Sequence, residues 1–156
     1  MVSPEQIRRA TSHDLNQIVE LEKKCFHIDF VYSRRQLRYL LTKAHSTVLV
    51  VTSNKIIRGF IIILYRKGTR VAGIETIDVD PAYQKQGIGL RLLTEAEEEI
   101  RKKDMKKIRL EVSIENLAAI NLYKKAGYRI LVLLHNYYRF DKEGTRDALR
   151  MTKEFN

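Results

Sequence analysis

The sequence predicts an α/β fold, a mixed sheet flanked by helices, and three observations carry that expectation. Segments with helical spacing alternate along the chain with short apolar runs of strand length. Turn residues separate several of these segments. A glycine-bearing turn near the middle of the chain joins a strand to a helix. Interleaving of this kind excludes an all-β barrel and a helix bundle. A length of 156 residues is that of one domain, here residues 1–156, long enough to bury a hydrophobic core.

Gln6 to Ala10 reads as a short first strand. From Asp14 to Phe26, Leu15, Ile18, Leu21 and Cys25 recur with helical spacing. Ser33-x-x-Gln36 has the form of a capping box opening a second helix, with Leu37, Leu40, Leu41 and Ala44 on one face. "TVLVVT" and "GFIIILY" read as a hairpin about a Ser53-Asn54-Lys55 turn. Gly68 marks a turn before a fourth strand, "VAGIETIDVD". Ile88 to Lys102 is a helix, with Ile88, Leu92, Ala96 and Ile100 repeating every fourth residue. "KIRLEVS" follows as the fifth strand, with Arg109 and Glu111 on the face opposite Ile108, Leu110 and Val112. A helix from Asn116 to Ala126 closes at Gly127, which suits a C′ glycine. "YRILVLL" is a sixth strand and "ALRMTKEF" a last one.

Apolar content of 44% and charged content of 31% are those of an ordinary globular protein. The longest apolar run, Phe60 to Tyr65, is too short to cross a bilayer, so no membrane partner is expected. "MVSPEQIRR" has no apolar signal core, and a single cysteine, Cys25, cannot form an internal disulfide; both fit a cytoplasmic location. His13, His27, His45 and His135 show no metal-ligand spacing, so no metal is expected. A formal net charge of +10 attracts phosphate-bearing partners. The basic residues are scattered, with no basic tail or nucleic-acid-binding signature, which speaks against nucleic acid.

"DVDPAYQKQGIGLRLL", residues 78–93, runs from a strand through a proline turn into a helix. The first N–H groups of a helix have no internal partners, and the helix dipole favours an anion there. Gly87 and Gly89 carry no Cβ, so a pyrophosphate has room to approach the main chain. A tight turn using glycine only for backbone freedom reads the same way. In "LEVSIENLAAINLYKKAGY", residues 110–128, Asn116 and Tyr123 stand two helical turns apart and share a side. This spacing allows Glu111, Asn116 and Tyr123 to converge on one cleft, though each also has an ordinary use, as surface strand residue, N-cap and core aromatic respectively.

Gln84-x-x-Gly87-x-Gly89, preceded by Val79-Asp80-Pro81, resembles motif A of the GNAT superfamily of acyl-CoA N-acyltransferases. The order of elements also matches that superfamily's over nearly the whole chain. The resemblance implies a GNAT fold, with a mostly antiparallel sheet of six to seven strands, about four helices and a splay near the Gln84 turn. Its cofactor is acetyl-CoA. The pantetheine then lies along Ile77, Asp78 and Val79, and the pyrophosphate on Gln84, Lys85, Gln86, Gly87, Ile88 and Gly89.

Residues 110–128 resemble the motif of RimI-like ribosomal-protein-alanine acetyltransferases and Ard1-type N-terminal acetyltransferases, through Leu110, Glu111, Val112, Asn116, Ala119, Leu122, Tyr123 and Gly127. Ser113 stands where those families carry arginine. The resemblance implies Glu111 as general base, Tyr123 as general acid beside the cofactor sulfur, and Asn116 as a cofactor contact. Glu75 and Asp78, on the strand expected to meet the thioester, are rival bases. The chemistry requires such types, because an ammonium must lose a proton before attacking and a departing thiolate must gain one.

"HNYYRFDKEGTRDALRMTK", residues 135–153, resembles the tail of the same enzymes, where tyrosines cover a peptide N-terminus; Tyr137 and Tyr138 take that place, and Arg146 replaces an acidic residue. The opposite wall is "CFHIDFVYS", with Phe26, Ile28, Phe30 and Tyr32 as its lining and without the prolines usual there. The implied acceptor is a protein N-terminal α-amine, a ribosomal protein among the candidates. Alternatives are a lysine, polyamine or other small-molecule amine, and a non-catalytic acyl-CoA- or nucleic-acid-binding module on the same fold.

Overall fold

Runs of aliphatic and β-branched residues make the strands of one sheet in the computed structural model, which describes residues 5–26, 30–142 and 144–155. In chain order the elements are β1 (Gln6–Arg9), α1 (Leu15–Cys25), α2 (Arg34–Thr42), β2 (Ser46–Ser53), β3 (Ile56–Tyr65) and β4 (Val71–Val79). Then come α3 (Ile88–Lys102), β5 (Lys107–Ser113), α4 (Leu117–Lys125), β6 (Arg129–Leu134) and β7 (Ala148–Glu154). The sheet order is β1-β2-β3-β4-β5-β7-β6, antiparallel throughout except between β4 and β5. This is the mixed, mostly antiparallel sheet with four helices that the sequence predicts. Among the described residues no helix is long and apolar enough to cross a membrane.

Local chemistry explains the boundaries. The capping box at α2 is formed: Ser33 Oγ accepts from Gln36 N at 3.1 Å, and Gln36 Oε1 accepts from Ser33 N at 2.7 Å. α1 begins one residue later than expected, because Ser12–Asp14 is a separate 3₁₀ turn with its own Thr11–Asp14 capping box. The β2–β3 hairpin turns on Asn54 (φ 51°) and Lys55 (φ 65°), both left-handed as a type I′ turn requires. α4 ends in a Schellman motif, with Gly127 at φ 96°, Tyr128 N donating to Tyr123 O at 2.9 Å and Gly127 N to Lys124 O at 3.0 Å.

Two apolar layers cover the sheet. On one face, α3 and α4 bury Ile88, Leu92, Leu93, Ala96, Ile120 and Tyr123 against Ile61, Ile63, Ile108 and Leu110. On the other, α1 and α2 bury Leu15, Ile18, Leu37 and Leu40 against Val48, Val50, Phe60 and Ile62. Gly59 sets how closely α3 presses on β3 and β4. A Cβ there would lie 2.9 Å from the Asp78 carbonyl oxygen and 3.2 Å from Ile88 Cγ2.

The one parallel pairing is short. β4 and β5 are in register only at Val71–Lys107, Ala72–Ile108 and Gly73–Arg109. Beyond Gly73 the strands part, while β4 stays paired to β3 and β5 to β7. At the same place β4 bulges. Ile62 opposes Thr76 and Ile63 opposes Ile74, so Glu75 is the extra residue. The bulge shifts the alternation, turning Ile77 and Val79 to the α3 layer and leaving both Glu75 and Thr76 on the wall of a cavity on the α1–α2 side.

Candidate active site

The splay between β4 and β5 opens into that cavity, of about 280 Å³. Its base is polar, with Glu75 and Thr76 from β4, Glu111 from β5 and Glu22 from α1. Its walls are the aromatic residues Phe26, Phe30, Tyr32, Tyr137 and Tyr138. Five of the six residues expected to form an acceptor groove are therefore neighbours; the sixth, Ile28, lies outside the described residues. Tyr138 packs edge-on against Phe30 at 6.1 Å and Tyr137 at 5.1 Å between ring centroids. Lys142 Nζ lies over the rings of Phe26, Phe30 and Tyr138, tying the two wall segments together.

Strand alternation places Glu111 on this face, because Leu110 and Val112 belong to the opposite apolar layer. Arg150 Nε donates to Glu111 Oε2 at 3.0 Å, and Arg109 Nε lies 3.4 Å from the same oxygen. The other oxygen, Oε1, accepts from the Tyr137 hydroxyl at 3.4 Å. Glu75 Oε1 accepts a short hydrogen bond from the Tyr32 hydroxyl, at 2.5 Å. Burial and Glu75 together hold the Tyr32 phenol far above its ordinary value, and burial and Glu111 raise that of Tyr137. Both phenols are hydrogen-bond donors at neutral pH.

Tyr123 approaches the splay from the opposite face. Its ring lies in the α3–α4 layer, 5.9 Å from that of Tyr128, and is 8% exposed. Burial, with the nearby Asp78, pushes the phenol up to about 12. Glu111 and Tyr123 thus do not share a cavity wall; they flank the gap from its two sides.

On the Tyr123 side, α3 starts at a helix N-terminus without a side-chain cap. Gly87 is its N-cap, at φ 84°, in the left-handed region that favours glycine. Gly89 is different: a Cβ there would sit 3.4 Å from Leu122 Cδ2, an ordinary contact. Neither backbone nor packing demands glycine at 89, although glycine inside a helix costs about 1 kcal/mol. Room above the first-turn amides is what it leaves, and a diphosphate fits that chemistry. Gln84, Lys85 and Gln86 are exposed around this turn, Gln84 Nε2 donating to Val79 O at 3.2 Å. Asn116 caps α4, its side chain accepting from Ala119 N at 3.2 Å. Ile77 and Val79 are partly buried beside the turn, whereas Ile88 and the Asp78 side chain are fully buried, so each of the latter two has only its main chain to offer a ligand.

Sequence reasoning missed Glu22, Thr76, Lys142, Arg109 and Arg150 as parts of the site. For Glu22 a signal existed: it stands four residues after Ile18 and four before Phe26, on the apolar stripe of α1. Cys25, also on α1, donates its thiol to Val79 O at 3.4 Å, and burial pushes it up to about 12, so the thiol is inert.

Residues 15–128 match the model of the acetyltransferase (GNAT) family. Over 80 residues the chain is 39% identical to the [ribosomal protein bS18]-alanine N-acetyltransferase of Escherichia coli (strain K12). That match covers 51% of this chain and 53% of the relative, so it spans about half of the relative's length. The crystal structure of the E. coli ribosomal-protein-S18-alanine N-acetyltransferase superposes with a TM-score of 0.86 at 27% identity, covering 97% of this chain and 94% of that one. The N-alpha-acetyltransferase RimI of Mycobacterium tuberculosis is 33% identical over 138 residues, 87% of this chain and 85% of that protein. Ard1 from Thermoplasma volcanium superposes with a TM-score of 0.85 at 25% identity, covering 97% and 98% of the two chains.

Proposed function

Because the chain belongs to the acetyltransferase (GNAT) family, we propose that it transfers an acetyl group from acetyl-CoA to a protein N-terminal α-amine, with Glu111 as general base and Tyr123 as general acid. When bound, acetyl-CoA supplies the activated acetyl thioester. The first-turn amides of α3 and the Gln84–Gly89 turn hold its diphosphate, and the main chain of Ile77, Asp78 and Val79 runs beside its pantetheine. Asn116, at the start of α4, borders the same ligand.

The observation that carries the reading is the two-sided gap between β4 and β5. Glu111 stands on the side that opens into the aromatic cavity, and Tyr123 on the side of the uncapped helix. An acceptor entering the cavity passes between Tyr32 and Tyr137, whose hydroxyls are suited to peptide groups. Glu111, directly or through one water, takes the proton that an ammonium must lose before attack. Main-chain N–H groups of β4 beyond Gly73, with no partner strand on the β5 side, are placed to stabilise charge on the carbonyl oxygen. Tyr123, held protonated by burial, keeps a proton for the departing sulfur.

The walls favour a peptide over a bare amine, since five aromatic side chains offer surface that a small polyamine does not use. Similarity to the bS18-alanine and RimI enzymes makes a ribosomal protein one acceptor to test. Incubation with acetyl-CoA and peptides differing in their first two residues, read by mass spectrometry, tests the reading. Acetylation of the α-amine is expected; labelling confined to lysine side chains or free polyamines overturns it.

A further inference from the structure

The two edges of the sheet are built differently. β1, at one edge, is four residues long and ends in Arg8 and Arg9, which are ion-paired with Asp14 and Glu99. Short length and charge keep an exposed edge from pairing with another chain. β6, at the other edge, is six residues long, and from Ile130 to Leu134 it carries neither charge nor proline. Ile130, Leu131, Val132 and Leu133 are 47%, 52%, 42% and 54% exposed, whereas the other large exposed apolar residues stand singly along the chain. Adjacent aliphatic side chains exposed to this degree make an apolar patch on the order of 300–400 Å².

Packing within one copy does not account for the strip. Ile130 and Leu133 oppose Met151 and Leu149 of β7, which pack in the α3–α4 layer, yet neither is buried there. The register shifts between Ile130 and Val132, leaving Leu131 as an extra residue, so apolar side chains stand on both faces of the strand. That bulge is the one feature of β6 that works against edge pairing. On its outer side β6 has no partner strand among the described residues, and its outward N–H and C=O groups are open.

We infer that the outer edge of β6 pairs with β6 of a second copy of this chain, antiparallel about a two-fold axis at Val132, joining two sheets into one. The strand is self-complementary about that axis. Leu131 opposes Leu133 and Ile130 opposes Leu134, so each aliphatic residue meets another. At either end Arg129 of one copy comes beside His135 of the other, whose Nδ1 lies 3.1 Å from Asp147 Oδ1, so a cation faces a carboxylate. Summed over both copies, the apolar strips, the exposed Arg129 and His135 side chains and the open main chain reach about 1,000 Å², the size of a specific interface. β6 runs on through His135 and Asn136 to Tyr137 and Tyr138, so the pairing also anchors one wall of the aromatic cavity. The inference goes beyond the acetyl-transfer reading and does not depend on it.

The test uses the full chain and reads association alone. Sedimentation equilibrium from about 1 to 200 μM should show monomer and dimer in exchange. Each copy carries a formal charge of +10, so long-range repulsion opposes pairing, and the dimer dissociation constant should fall severalfold as ionic strength rises from about 0.05 to 0.5 M. Leu131→Lys and Leu133→Lys, made separately, should each raise that constant at least about a hundredfold, because one substitution enters a two-fold interface twice. Both side chains are half exposed in a single copy, so circular dichroism should show the fold kept; should one variant fail to fold, the other gives the same reading. Ile56→Lys, at an equally exposed position on β3 away from this edge, should leave the constant within about twofold. A chain that stays monomeric at every concentration and ionic strength, or a dimer that both lysine variants leave intact, overturns the inference.

Discussion

Glu111 and Tyr123 reach the same gap from opposite faces of one sheet, so their substitutions should have separable effects. Tyr123→Phe removes a hydroxyl without opening a cavity, and kcat should fall about 10²-fold with cofactor affinity unchanged by calorimetry. Glu111→Gln keeps an acceptor for Arg150 Nε, so the fold should hold while the pH–rate profile flattens. Stability also has a pH signature written in single residues. Buried Asp78 favours its protonated form in the folded chain, so its contribution is full below the ordinary carboxylate range and is lost as pH rises through the raised value. Asp14 behaves oppositely. Its hydrogen bonds from Arg8, at 2.8 and 2.9 Å, lower it, so its contribution is present above the ordinary value and disappears as pH falls through the lowered one. Melting temperatures across about pH 4 to 9 should show Asp78→Asn losing less stability than the wild type toward alkaline pH.

At the scale of elements, two glycines of one turn should part company. Gly87→Ala forces a side chain into φ 84° and should cost about 1 kcal/mol of stability, seen as a lowered melting temperature. Gly89→Asp has room beside Leu122 and places a carboxylate where a helix start tolerates one, so folding should be kept. Its charge instead repels a diphosphate, and affinity for CoA should fall at least about tenfold by calorimetry. Element order and type were legible in the chain because helical and strand periodicities differ and the turns carry their own signals. The bulge at Glu75 was not. "VAGIETIDVD" reads as an unbroken strand, and only pairing with β3 shows that Glu75 has no opposite number. Nor was the burial of Glu22 and Asp78 legible, since a helix glutamate and a strand aspartate are sealed from solvent only by tertiary packing.

Across the whole molecule, the aromatic cavity and the overall charge have opposite signs. The formal net charge is +10, yet the cavity carries Glu22, Glu75 and Glu111 against Lys142. A cationic exterior draws in a polyanionic cofactor, and KM for acetyl-CoA should rise severalfold as ionic strength increases from about 0.05 to 0.5 M. The sequence motifs marked the Gln84–Gly89 turn and both aromatic walls, and strand alternation already put Arg109 on the face of Glu111, whereas Arg150 joins them only where β5 pairs with β7. The most direct measurement of the account is a crystal structure with a bisubstrate analogue joining CoA to a peptide N-terminus. The account predicts the diphosphate on the main-chain amides around Gly87 and Gly89, and the peptide's first residue between Tyr32 and Tyr137 with its nitrogen facing Glu111. A nucleotide bound elsewhere, or a peptide lying outside the aromatic cavity, would contradict it.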